Sequence, residues 1–273
     1  MERVGLIAGS GRFPVLFAET ARRRGVEVVA VAHRGETAPE LEGVVADLTW
    51  IYPGELDAMI RALRAAGVRR AVMVGGIAKP RLFRDFRPDA RALAVIERIG
   101  RLRDDLVLRA VAAELESEGI AVVESTMYLR EIVPSAGMLG ARSPTPEEWR
   151  DIRFGFHAAK VIGQFDIGQS VVVRSGAVIA VEGIEGTDAT IRRAGQLANG
   201  DIVLVKVCKP RQDTRFDLPA VGPGTVAALA QVQGRALAVE AARTVILDRA
   251  EMITLADAAD IAVVAVDGTE VER

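Results

Sequence analysis

Cysteine is almost absent: Cys208 stands alone, so no intrachain disulfide and no cysteine-built zinc centre can form, and a reducing compartment fits. Histidine is limited to His33 and His157, far apart in the chain, and no Ser-His-Asp arrangement is suggested by their surroundings. No run of about eighteen apolar residues is available to span a bilayer, and the opening MERVGLIAGSG lacks a signal-peptide pattern. A soluble cytoplasmic protein is expected. The formal net charge of -2 offers no basic face for nucleic acid, which is excluded as a partner. Lysine is scarce too, since only Lys79, Lys160, Lys206 and Lys209 among thirty-five basic residues are lysines. Where arginine serves every solvated role, a retained lysine marks a place for a compact point charge.

What is present, 273 residues of which half are apolar, suffices for two modest cores. Val4 to Ala8 reads as a strand, Phe13 to Arg24 as a helix stopped at Gly25, and Val26 to Ala32 as a second strand. Pro53 is expected to open a helix ending near Gly67, followed by a strand at Arg70 to Val74, a helix at Asp104 to Glu118 and a strand at Ile120 to Glu124. Strands alternating with helices predict an α/β fold with a Rossmann-like parallel sheet covered on both faces. Prolines and glycines crowd between Ile132 and Pro146. They suggest an N-terminal domain over 1–133, a linker over 134–146 and a C-terminal α/β domain over 147–273. In the second domain, Thr145 caps a helix from Pro146 to Ile162, and Ser170 to Arg174 and Ala177 to Val181 form a hairpin around Ser175-Gly176. A helix from Asp188 to Leu197 follows, with Thr187 as its cap, and then strands at Ile202 to Val207, Ala236 to Val239, Thr244 to Leu247 and Ile261 to Val266. Helices are expected at Thr225 to Gln233 and Arg249 to Ala259.

Chemistry concentrates in Lys206 to Thr225, KVCKPRQDTRFDLPAVGPGT, where Lys209, Arg211, Asp213, Arg215 and Asp217 alternate in sign before Pro219 and Gly222-Pro223-Gly224 forbid regular structure. Cations that neutralise phosphate oxygens beside carboxylates that hold a hard cation or activate water suit a phosphate ester handled with a divalent metal. Two glycine-rich turns follow strands in the first half: Gly9-Ser10-Gly11, and Gly75-Gly76 with Lys79. Both are candidate phosphate or sugar contacts. As a dinucleotide fingerprint the first turn fails, because Pro14 stands at the third glycine position and the second strand ends in Ala32-His33-Arg34 without an acid for a ribose. The turn Glu185 to Asp188, EGTD, brings two carboxylates and a hydroxyl to a helix start, either as cap and dipole partner or as a ligand site.

Several segments occur together and in order: GLIAGSGRFP near the start, KP at Lys79-Pro80, PDAR from Pro88, Asp104-Asp105, DIGQ from Asp166, VEGIEGTDATIRR from Val181 and KPRQDTRFDLPAVGPGTV from Lys209. In these the chain resembles the LpxI-type UDP-2,3-diacylglucosamine pyrophosphatases. The resemblance implies a magnesium-dependent hydrolysis, with manganese as the substitute, of UDP-2,3-diacylglucosamine to 2,3-diacylglucosamine 1-phosphate and UMP, in lipid A biosynthesis. Water would attack the β-phosphorus. Asp217 matches the family's essential aspartate; Lys209, Gln212, Arg215 and Thr225 match the rest of its motif, and Thr187 and Asp188 its EGTD turn.

On this reading Asp217, Asp213 and Lys209 are catalytic, and Asp217, Asp213 and Asp188 are the metal candidates, Asp217 either as ligand or as the group that orients water. Substrate contacts are expected from Gly9, Ser10, Gly11, Gly75, Gly76, Lys79, Thr187, Asp188, Lys206, Gln212, Arg215 and Thr225. The lipid would lie between the two domains, with transient contact to the inner leaflet of the membrane, and a homodimer is ordinary for such a protein. Two other classes stand beside this one: an NAD(P)-linked oxidoreductase and a non-catalytic nucleotide or lipid carrier, each using the Gly9 to Gly11 turn.

Overall fold

The structure is a computed structural model that describes residues 2–77, 84–100, 104–215 and 218–268. Two compact units result, Met1–Arg130 joined by Asp213–Asp217, and Glu131–Gln212 joined by Leu218–Arg273.

The first unit is built on a five-stranded parallel sheet of order β3-β2-β1-β4-β5, comprising β1 (Arg3–Ala8), β2 (Glu27–His33), β3 (Asp47–Ile51), β4 (Arg70–Val74) and β5 (Ala121–Val122). Its helices are α1 (Phe13–Arg23), α2 (Leu56–Ala65), α3 (Ala90–Ile99) and α4 (Asp104–Ser117). Alternation along the strands divides the core: Ile7, Val29, Val31, Ala71 and Met73 pack with Leu56, Met59, Ile60, Leu63, Val95 and Leu115. Leu6, Ala8, Ala30 and Val72 point the other way and are equally buried. Both faces are therefore covered, as a parallel sheet requires. The order reverses between β1 and β4, which puts a topological switch point at the ends of these two strands.

Pro53 does not open α2. Gly54, at φ 100, forces a turn that no helix accommodates, and α2 begins only at Leu56 behind Glu55, whose carboxylate accepts from the Tyr52 amide at 2.6 Å. In this unit β3 and α3 escape sequence reading. β3 is a half-buried edge strand without strict alternation, and α3 starts where the Asp89 side chain accepts from Ala92 N at 2.9 Å and stops at left-handed Gly100.

The second unit holds a six-stranded mixed sheet of order β6-β13-β11-β9-β7-β8, from β6 (Gly137–Met138), β7 (Ser170–Arg174), β8 (Ala177–Val181), β9 (Val203–Lys206), β11 (Ala236–Glu240) and β13 (Ala262–Val266). β9, β11 and β13 are parallel; β6 and β7 run antiparallel to their neighbours. β10 (Ala220–Val221) and β12 (Val245–Ile246) form a small parallel pair of their own. Helix α5 (Pro146–Gln164) covers one face with Ile152, Phe156 and Ala159 against Val171, Val173, Val203, Val205 and Ala238. Gly155 makes this approach possible, because a Cβ there would stand 2.7 Å from Val205 Cγ2. Helices α6 (Thr187–Ala198), α7 (Pro223–Gln231) and α8 (Arg249–Ala258) cover the other face through Ile191, Ala194, Val226, Leu229 and Met252.

Thr145 caps α5 in a full capping box with Glu148, as its sequence indicates. The hairpin of β7 and β8 turns at Ser175-Gly176 with φ of 50 and 77, and Asp151 accepts from both turn amides at 2.8 and 2.6 Å. That anchor sets the register of the hairpin.

Candidate active site

The antiparallel pairing of β7 with β9 brings Ser170 opposite Lys206, where β9 ends and where β8 runs out into Glu182. Here a strand built from apolar residues terminates in a buried ammonium. Lys206 Nζ donates to Thr187 Oγ1 and to the carbonyl of Ala220, both at 2.9 Å. Thr187 in turn donates to Glu182 Oε1 at 2.8 Å, and Ser170 Oγ lies 3.5 Å from the same hydroxyl. Glu182 also accepts from the Gln169 amide at 3.3 Å. The ammonium, hydroxyl and carboxylate form one relay, with Lys206 joining the EGTD turn to the far end of the 206–225 loop.

Thr187 does not cap its helix. Gly186 occupies the N-cap at φ 82, leaving Thr187 as the first helical residue with its hydroxyl turned into the relay. Asp188, beside it in the first turn, is exposed at the positive end of the helix dipole. Thr225 is buried near the start of α7, its amide donating to the Gly222 carbonyl.

The near end of the loop is held by other contacts. Lys209 Nζ pairs with Asp166 Oδ1 at 2.7 Å, both side chains being only about a tenth exposed. Lys209 N donates to Gln212 Oε1 at 2.8 Å and Gln212 N to the Lys209 carbonyl at 3.0 Å, closing a tight turn around Pro210. Among the described residues, Gln212 Nε2 is a buried donor for which no hydrogen-bond partner is found. Gln169 Oε1 is a buried acceptor in the same condition. Lys160 Nζ reaches Glu240 Oε2 and the Cys208 carbonyl. Cys208 itself is fully buried.

Asp213 and Arg215 group with the first unit. Asp213 takes Arg215 Nε and Nη2 at 3.1 and 2.9 Å, Arg109 Nη1 stands 3.4 Å away, and its amide donates to Asp105 Oδ1 at 3.3 Å. The Arg215 guanidinium holds the Asp213 carboxyl well below the usual carboxylate range. Arg215 Nη1 meets Glu116 at 3.1 Å. The turns at the switch point are closed on each other: Gly9 N donates to the Val74 carbonyl and Ser10 N to the Gly76 carbonyl. A Cβ on Gly9 would meet Gly76 O at 2.4 Å, and one on Gly75 would meet Ser10 O at 2.4 Å. Gly11, with φ 88, and Gly76 have open space where a Cβ would be. Two of the amides that a phosphate loop would offer are thus spent on backbone carbonyls.

Lys79 and Asp217 lie outside the described residues. Among the described residues no group of three or more histidine, cysteine, aspartate or glutamate side chains could hold a metal ion. Both Asp213 oxygens are engaged by Arg215. Magnesium, however, is commonly bound by one or two carboxylates together with phosphate oxygens and water.

Glu182, Lys160, Glu240, Gln169 and Asp166 are members of these networks that were given no role from sequence. A lone acid ending the apolar strand ALAVE was the available signal for Glu240.

Comparison with known proteins gives the same two-part division. The model of the LpxI N-terminal domain matches residues 3–132 and that of the LpxI C-terminal domain residues 135–264. The chain is 35% identical to the UDP-2,3-diacylglucosamine pyrophosphatase LpxI of Caulobacter vibrioides, across 99% of each chain. Among solved structures it is similar to the UDP-glucose 4-epimerase of Thermus thermophilus (13% identity, 99% of this chain and 92% of that one, TM-score 0.32). Another is the glycinamide-RNase-transformylase T of Mycobacterium tuberculosis (17% identity, 50% of this chain and 38% of that one, TM-score 0.25). Scores so low carry no weight. The two domain matches and the full-length relative do: the chain belongs to the LpxI family.

Proposed function

We propose that the protein hydrolyses the pyrophosphate of UDP-2,3-diacylglucosamine, releasing UMP and 2,3-diacylglucosamine 1-phosphate in lipid A biosynthesis. The observation that carries this reading is the full-length likeness to the Caulobacter pyrophosphatase. The relay at Lys206 supports it, because it ties together the two segments richest in phosphate chemistry.

Water attacks the β-phosphorus, the bond from that phosphorus to the bridging oxygen breaks, and UMP leaves with the bridging oxygen. Asp217 orients the water and takes its proton. Arg215, engaged by Asp213 and Glu116, positions the segment in which Asp217 follows two residues later. Gln212 Nε2, a buried donor with no partner among the described residues, supplies a hydrogen bond to a substrate oxygen, and Lys209 supplies charge beside it. Thr187 and Lys206 hold the turn that presents Asp188. Asp217, Asp213 and Asp188 are the candidate carboxylates for magnesium, or manganese in its place, which would offset the charge of the leaving UMP.

Glycines 9, 11, 75 and 76, with Ser10 and Lys79, contribute the second set of substrate contacts, and Thr225 steadies the start of α7. Phe165 and Ile167 are exposed on either side of Asp166 and offer an apolar surface to acyl chains or to the inner leaflet. No described helix is long and apolar enough to cross a membrane. The protein acts at the cytoplasmic face, as a homodimer.

Incubation of the purified protein with UDP-2,3-diacylglucosamine and magnesium tests the reading. UMP release that disappears in Asp217→Asn is expected. No release with either metal, or NADPH binding seen by difference absorbance, would overturn it.

A further inference from the structure

Lys160 and Glu240 belong to none of the segments that carry the family likeness, yet they form a buried ion pair at the root of the loop. Lys160 lies in the last turns of α5 and Glu240 ends β11. Nζ stands 2.6 Å from Oε2, with the two side chains 24% and 8% exposed. Between them sits Cys208: its amide donates to Glu240 Oε2 at 2.8 Å and its carbonyl accepts from Lys160 Nζ at 2.8 Å. One residue is gripped at both of its backbone polar groups by the two members of one ion pair.

Cys208 lies two residues beyond the end of β9. It is fully buried, so both groups need partners inside the protein; each would otherwise cost about 1–3 kcal/mol. Neutral side chains would satisfy them at less desolvation cost than two charges. What an ion pair adds is direction, because each end accepts one sign of partner only. The next residue is Lys209, and its turn with Gln212 follows. Gly163, one turn beyond Lys160, lets α5 approach this segment closely, a Cβ there lying 3.3 Å from Lys209 Cα.

We propose that Lys160 and Glu240 are positioning residues that set the course of the chain as it leaves β9, and through it the placement of Lys209 and Gln212. The pair touches no substrate. Its bearing on catalysis rests on the function proposed above; its bearing on the loop does not.

The double variant Lys160→Met/Glu240→Gln, which leaves no unpaired buried charge, tests this by hydrogen exchange and by steady-state kinetics. Exchange of the Lys209 and Gln212 amides is expected to quicken by about tenfold or more while those of β7 and β9 keep their protection. kcat should fall by about tenfold with KM within about twofold. Glu240→Gln alone, read in the same way, covers poor folding of the double variant. Unchanged exchange at Lys209 and Gln212 would overturn the proposal, as would an acceleration shared by every strand in step with a lower Tm. Local acceleration in a protein whose wild type hydrolyses no UDP-2,3-diacylglucosamine would uphold the positioning role and remove the proposed function instead.

Discussion

The ammonium of Lys206 and the hydroxyl of Thr187, nineteen positions apart in the chain, meet at 2.9 Å with Glu182 behind the hydroxyl. A buried lysine at a strand end is tolerated because its donors reach fixed acceptors, one of them the Ala220 carbonyl. The scarcity of lysine acquires a physical account: Lys160, Lys206 and Lys209 each anchor a point on the 206–225 loop or its root. An ammonium is a compact point charge with three rotatable donors, which suits these enclosed positions better than the larger planar fork of arginine.

Replacing Thr187 by Val keeps its shape and removes the hydroxyl, which leaves Lys206 and Glu182 each short of a partner. Urea unfolding should show a loss of about 1–3 kcal/mol, and Thr187→Ser should recover most of it. An undiminished Thr187→Val beside a weakened Thr187→Ser would mean that the methyl, not the hydroxyl, matters.

Gly9→Ala should destabilise the first unit by about 1–3 kcal/mol, because the new Cβ meets backbone oxygen and cannot be relieved by a rotamer change. Gly11→Ala meets no neighbouring atom and pays only for its positive φ. Thermal unfolding of the two variants side by side checks the ordering.

The hairpin from Ser170 to Val181 was legible because Ser175-Gly176 sits between two β-branched runs, and the start of α5 because Thr145 is a capping residue directly before Pro146. The parallel sheet followed from strands alternating with helices. Less local features were not legible. Gly186 takes the cap position by adopting φ 82, which frees Thr187 for the relay, and nothing in the EGTD spelling chooses between those outcomes. The edge strand β3 depends on β2 for its partner and has little pattern of its own. Glu240 acquires a role only when folding brings β11 beside β9 and α5 above both. Lys209 and Arg215, read as cations facing a phosphate, are each engaged by a carboxylate, Asp166 and Asp213.

Tyr128 donates to Glu2 Oε1 at 2.7 Å, and burial followed by that bond pushes its pKa up to about 12. Folding favours the protonated phenol. Its contribution is therefore whole below the ordinary tyrosine value of about 10 and is lost as pH rises towards 12. The tyrosinate absorbance that disappears in Tyr128→Phe should titrate near 12; a midpoint near 10 would contradict the buried contact.

His33 is buried, and burial lowers its pKa more than the bond from Nδ1 to the Ala8 carbonyl, at 2.9 Å, raises it. The unfolded chain binds the proton first as pH falls. Stability attributable to His33 is present above about 6.5 and declines below it, through the lower pKa of the folded state. Proton NMR of the His33 ring should show a midpoint below 6.5, and replacement by Gln should flatten the acid limb of the stability curve.

The most direct measurement is the fate of oxygen-18 when the protein hydrolyses UDP-2,3-diacylglucosamine with magnesium in labelled water, run beside Asp217→Ala. The account predicts label in the 1-phosphate of the lipid product, none in UMP, and no turnover in the variant. Label in UMP, or wild-type turnover by Asp217→Ala, would contradict it.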